Sequence, residues 1–131
     1  MRHAKLLPIA LVSFSFGCTG ARTAEEYPDA VTADPDHYSV EFENDVARLV
    51  RIRFGAGETS VMHHHPASCN IFLINQPITL ELPNGDVLEN PTATTGQVQC
   101  SDAEVHLPTN TGEDALELIV LELKGREALQ N

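Results

Sequence analysis

From Tyr38 onward, turn residues divide the chain into short segments of alternating apolar and polar positions, which confines it to an all-β architecture. The segments are 38–43, 46–54, 61–65, 69–74, 78–82, 87–88, 97–100, 105–107 and 115–123. Between them stand Gly55-Ala56-Gly57, Gln76-Pro77, Pro83-Asn84-Gly85-Asp86, Gly96 and the polar stretch 109–114. Alternation runs into Asn84-Gly85 and out again, as a hairpin requires, because Asn-Gly accepts the positive φ of a tight reversal. The run LELIVLEL at 116–123 alternates and then fills in, the pattern of a strand mostly covered on both faces. No segment before Lys124 combines a helical period with caps, and 125–131 is read as a short terminal helix or a frayed tail. A chain of 131 residues has the length of one domain, so a single sandwich or barrel is expected.

Charge narrows the partners. The chain holds 19 acidic and 8 basic residues, for a formal charge of −11. Arg2, Lys5 and Arg22 all precede the first acid, so residues 25–131 hold 5 basic against 19 acidic residues, a net −14. A surface of that sign is repelled by phosphate backbones and anionic headgroups, which excludes nucleic acid and a charged membrane surface as partners. Arg48, Arg51 and Arg53 form the one basic cluster of this region and are read as the solvated face of a strand.

Residues 1–24 differ from the rest. A basic stretch with Arg2 and Lys5 precedes an apolar run over 6–16, followed by small residues at Gly17, Gly20 and Ala21. This is the layout of a secretory signal, with an apolar run too short to span a bilayer, so export is expected. Cys18 follows Gly17 at the end of that run, resembling a lipoprotein signal, although Ser15 and Phe16 depart from the usual residues before the cysteine. Two alternatives stay open: a periplasmic or secreted protein, or one anchored through lipidated Cys18, with a polar tether from Thr19 to about Asp36. Residues 25–37, polar and carrying Pro28 and Pro35, read as linker. In an oxidising compartment, Cys69 and Cys100 are either a disulfide or two buried thiols.

His63-His64-His65 carries the chemistry. On a strand, side chains alternate between faces, so His63 and His65 point one way and His64 the other. Two imidazoles on one face are spaced for a shared metal ion. Outside the linker, His106 is the one other histidine in the expected barrel. Neutral imidazoles suit iron, manganese, zinc or nickel.

Gly57 with His63 and His65, followed by Gly96 with His106 and Asn110, resembles the two motifs of the cupin superfamily. The likeness covers most of 38–124 and extends to a branch of short single-domain cupins. It implies a small double-stranded β-helix, the cupin jelly-roll barrel, over 38–124, with His63, His65 and His106 facing its interior around one divalent metal ion. The family's ligating Glu falls at Cys69 or Asn70, and continuity with the following apolar strand favours Asn70. Without that Glu, the site resembles the three-histidine arrangement of thiol dioxygenases more than the oxalate or quercetin enzymes. Glu104 is either an exposed loop residue or a carboxylate at the pocket rim. The resemblance also implies that the strand starting at Cys69 pairs with the one ending at Cys100, which brings these cysteines together beside the pocket. It implies a metal-dependent oxygenase or isomerase acting on a small-molecule ligand, or a non-catalytic binding or structural cupin with a degenerate site, and a homodimer as the family's common assembly.

Overall fold

The computed structural model describes residues 23–90, 94–126 and 128–129. Residues 1–22 of the segment read as a signal, with Cys18, lie outside the described residues. Strands β1 (Tyr38–Glu43), β2 (Ala47–Phe54), β3 (His63–His65), β4 (Ser68–Ile74), β5 (Ile78–Glu81), β6 (Val87–Asn90), β7 (Val98–Ser101), β8 (Glu104–Asn110) and β9 (Leu116–Leu123) follow one another along the chain. They form two antiparallel sheets, one ordered β1-β2-β9-β4-β7 and the other β3-β8-β5-β6. Each strand lies within a few residues of its expected place, because turn chemistry and period-two alternation agree along the chain.

The core follows the alternation. In β9, Leu116, Leu118 and Val120 point inward and are buried, while the residues between them are half-covered. In β2, Val50, Ile52 and Phe54 do the same, and Tyr38 and Phe72 complete the cluster. Fully burying each large apolar side chain contributes about 1.5–3 kcal/mol. Gly85 takes φ +87° at the β5–β6 reversal, a conformation that side-chain-bearing residues rarely adopt. Asn110 ties down the loop ends. Its amide donates to the carbonyls of Gly55 at 2.9 Å and Asp114 at 2.8 Å, and its Oδ1 accepts from the Gly112 backbone at 3.0 Å.

The segment 25–37 is not a free linker. A one-turn helix, α1 (Ala30–Ala33), starts at Asp29, whose carboxylate accepts from the Val31 and Thr32 backbone N–H groups. Ala30 is 0 % exposed and joins the core, and the His64 backbone donates to the Pro28 carbonyl at 2.9 Å. The segment shows no apolar period because it is held by one small buried residue, a cap and backbone pairing. At the other end, Arg126 accepts from the Ala67 backbone at 2.9 Å and Leu129 donates to Asp102 at 2.8 Å, so these residues of the tail are bonded to the barrel.

Cys69 and Cys100 stand opposite each other in the β4–β7 register, with their sulfurs bonded at 2.05 Å. The bridge closes a loop across a sequence separation of 31 residues. Chain entropy assigns a loop of that size about 3–4 kcal/mol. Reduction, or Cys69→Ala with Cys100→Ala, is therefore expected to lower the unfolding free energy by about that amount, read from urea titrations with and without reductant.

Candidate metal centre

Strand β3 is three residues long and sets the site by alternation. His63 and His65 turn inward, 0 % and 3 % exposed, and His64 turns to the other face. His106 on β8 is the direct partner of His63 in the β3–β8 register, so the neighbouring strand delivers the third imidazole. One nitrogen from each of His63, His65 and His106 lies within 4.8 Å of the others. His37 belongs elsewhere: it stacks on Phe54 at 4.4 Å and bonds to Asp34 and Glu58.

Hydrogen bonds fix how these rings face. His63 Nδ1 lies 2.7 Å from the Val61 carbonyl, which can only accept, so that nitrogen carries a proton. His65 Nδ1 lies 2.7 Å from a carboxylate oxygen of Glu122 and donates to it in the same way. In neutral rings, both Nε2 atoms are then lone-pair donors, and they approach to 3.0 Å. Two lone pairs at that distance repel unless something positive lies between or beside them. Nδ1 of His106 is buried with no hydrogen-bond partner among the described residues. A divalent cation fits this donor set, and His63, His65 and His106 are the residues that could hold it.

Glu122 was not anticipated from the sequence. It sits on β9, is 1 % exposed, and accepts from Arg48 Nε at 2.6 Å as well as from His65. Arg48 stands opposite Glu122 in the β2–β9 register and its other guanidinium nitrogens reach Asp29, the cap of α1. Burial works against an ionised Asp29, yet its bonds to Arg48 hold its carboxyl below the usual range. Arg48 is thus not part of a solvated face; it shares the inward parity of Val50, Ile52 and Phe54, whereas Arg51 and Arg53 pair with acids on the outer face. The parity was available in LELIVLEL: Glu117 and Glu122 are five residues apart, so on one strand they must face opposite ways.

Asn70, which the resemblance favours for the place of a ligating Glu, is half-buried on β4 and lines a cavity of about 60 Å³ that also meets His65 and His106. Glu104 begins β8 and takes the rim place: its Oε1 lies 3.6 Å from His106 Nδ1 and accepts from Ser101. Burial pushes its carboxyl up. Burial, followed by the neighbouring His65, lowers His63 to about 4 and His106 to about 3, so both rings are neutral and ready to ligate at neutral pH.

No family model and no curated protein matches the sequence. Solved structures do match. A cupin domain from Bordetella pertussis superposes with a TM-score of 0.62 at 20 % identity, covering 76 % of this chain and 97 % of that one. An uncharacterised double-stranded β-helix protein from Klebsiella pneumoniae gives 0.53 at 19 % identity, over 84 % and 94 %. A DMSP lyase from Ruegeria pomeroyi gives 0.50 at 15 % identity, over 82 % of this chain and 57 % of that one.

Two sets of outcomes are expected, the first at Glu122. Glu122→Gln keeps an acceptor for His65 but removes the charge that Arg48 meets, and is expected to weaken metal binding about 10- to 100-fold in a competition titration. Glu122→Ala leaves Arg48 with Asp29 as its carboxylate partner and removes the acceptor of His65 Nδ1, and is expected to cost about 3 kcal/mol in urea denaturation of the metal-free protein. The second concerns pH. His63 and His106 fall below their unfolded value of 6.5, so as pH drops from 6.5 toward 4 the unfolded chain takes up protons that the folded one refuses. Glu104 opposes this, as one raised carboxyl against two lowered imidazoles. The thermal midpoint of the metal-free protein is expected to fall over that window, and replacing both His63 and His106 with Gln to flatten the fall.

Proposed function

We propose that this chain, which has the double-stranded β-helix fold of the cupins, is a divalent-metal protein that places a small molecule beside a three-histidine centre. The observation that carries this is the pair of facing Nε2 atoms of His63 and His65, each ring held from behind by an acceptor, with His106 completing the set. Fixing Nδ1 leaves Nε2 as the ligating nitrogen, and the Glu122 carboxylate makes His65 a stronger donor. His63, His65 and His106, being uncharged, would leave the charge of a divalent ion uncancelled, and such an ion would supply polarisation of a substrate oxygen or binding of dioxygen. Asn70 adds no charge, so neutralising anionic ligands is left to the metal.

The reaction we favour is an oxygenase or isomerase step in an exported protein. Glu104 is the one carboxylate among the described residues that line the cavity, and burial raises its pKa, which makes it the candidate to exchange a proton with a bound molecule. The neutral Asn70 favours a second reading, in which the same cavity binds a ligand without turnover.

Metal analysis of protein purified without a histidine tag is the test. About one ion per chain is expected, falling to background in His63→Ala with His106→Ala. Sub-stoichiometric metal under every loading condition would overturn the proposal. Turnover with dioxygen consumption by the loaded protein separates the oxygenase reading from the binding one.

A further inference from the structure

The structure also constrains which molecule the cavity takes. Resting on the metal reading for its head group, we propose that the site selects a short aliphatic molecule with a single oxygen-donor head and no more than one negative charge.

Size is the first argument. A water needs about 10–15 Å³ of such space, so the cavity of about 60 Å³ takes about four to six water-sized groups. The second is the division of its wall. The polar lining groups are His65, Glu104 and His106 on the paired strands β3 and β8, Ser68 and Asn70 at the start of β4, and Tyr38, whose ring packs on His63; Phe54, Phe72, Ile78, Leu80, Leu116 and Leu118 provide hydrocarbon further along their strands. A molecule that fills it therefore has one polar end and an apolar body. A polyhydroxylated ring of similar size would leave its hydroxyls against that hydrocarbon without partners.

Charge is the third argument. Among the described residues no lysine or arginine lines the cavity, and the nearby guanidinium of Arg48 is already engaged by Glu122 and Asp29. A head carboxylate meets the metal, but a second anionic group would be desolvated with no counter-charge. The net charge of −11 further disfavours polyanions in the approach from solvent.

The test titrates the zinc-loaded full chain with straight-chain monocarboxylates from acetate to octanoate, and with succinate, by calorimetry. Affinity is expected to rise about fourfold per methylene up to butanoate or pentanoate. It is then expected to drop at least about tenfold by octanoate, because a longer chain overpacks the wall. Succinate, matching butanoate in carbon number, is expected to bind at least about tenfold more weakly for want of a second cation. Affinity that climbs through octanoate, or succinate that equals butanoate, would overturn the assignment. Leu80→Ala, a half-buried wall position, is expected to move the optimum one or two carbons longer; an unmoved optimum counts against it. The n-alcohols from ethanol to octanol, whose heads need no cation, are titrated alongside. A length cutoff among the alcohols when zinc fails to load overturns the metal reading alone. Zinc uptake with no cutoff in either series overturns the cavity assignment alone.

Discussion

The buried carboxylate of Glu122 is the constraint around which the rest is arranged. Removing an ion from water costs several kcal/mol, so a side chain at 1 % exposure must be met by partners that replace its hydration. Glu122 draws them from three places: Arg48 on the adjacent strand of its own sheet, His65 on the opposite sheet, and Asp29 of the N-terminal segment at one remove through Arg48. One charge thereby joins the two sheets, orients the His65 imidazole and fixes where 29–33 lies. Hydrophobic burial alone, being non-directional, would do none of these.

The interior is divided accordingly. One end of the barrel holds the histidines and the ion-pair chain; the other is hydrocarbon from β2, β4, β5 and β9. Strand β4 serves both functions, since its alternation turns Asn70 toward the cavity and leaves Cys69 for the bridge to β7. The edge strand β7 is thereby fastened covalently to the strand that carries part of the cavity wall.

How much of this was legible in the sequence depended on whether the signal was local. Alternation and turn residues placed the strands of the barrel, and alternation separated His63 and His65 from His64, because both depend on immediate neighbours. The docking of 25–37 was hidden because Ala30, a single small residue, carries its burial. Glu122 was hidden because an acid at the end of an apolar strand reads as the edge of the protein. Only its parity with Leu116, Leu118 and Val120, together with that of Arg48 with Val50, Ile52 and Phe54, distinguishes it. Glu104 was legible as one of two alternatives because it stands two residues before His106 and shares its parity on β8, whereas its place opposite His65 is a long-range fact of the β3–β8 register.

The order of strands bears on how the protein is made. The middle of the five-stranded sheet is β9, the last strand in the chain, and both β2 and β4 pair with it. Until residue 123 has left the ribosome, β1-β2 and β4-β7 are two separate pairs with apolar faces uncovered, and His65 lacks the carboxylate that orients it. The larger sheet and the three-histidine cluster are therefore completed together once β9 has been made, and a chain truncated before β9 would lose both at once.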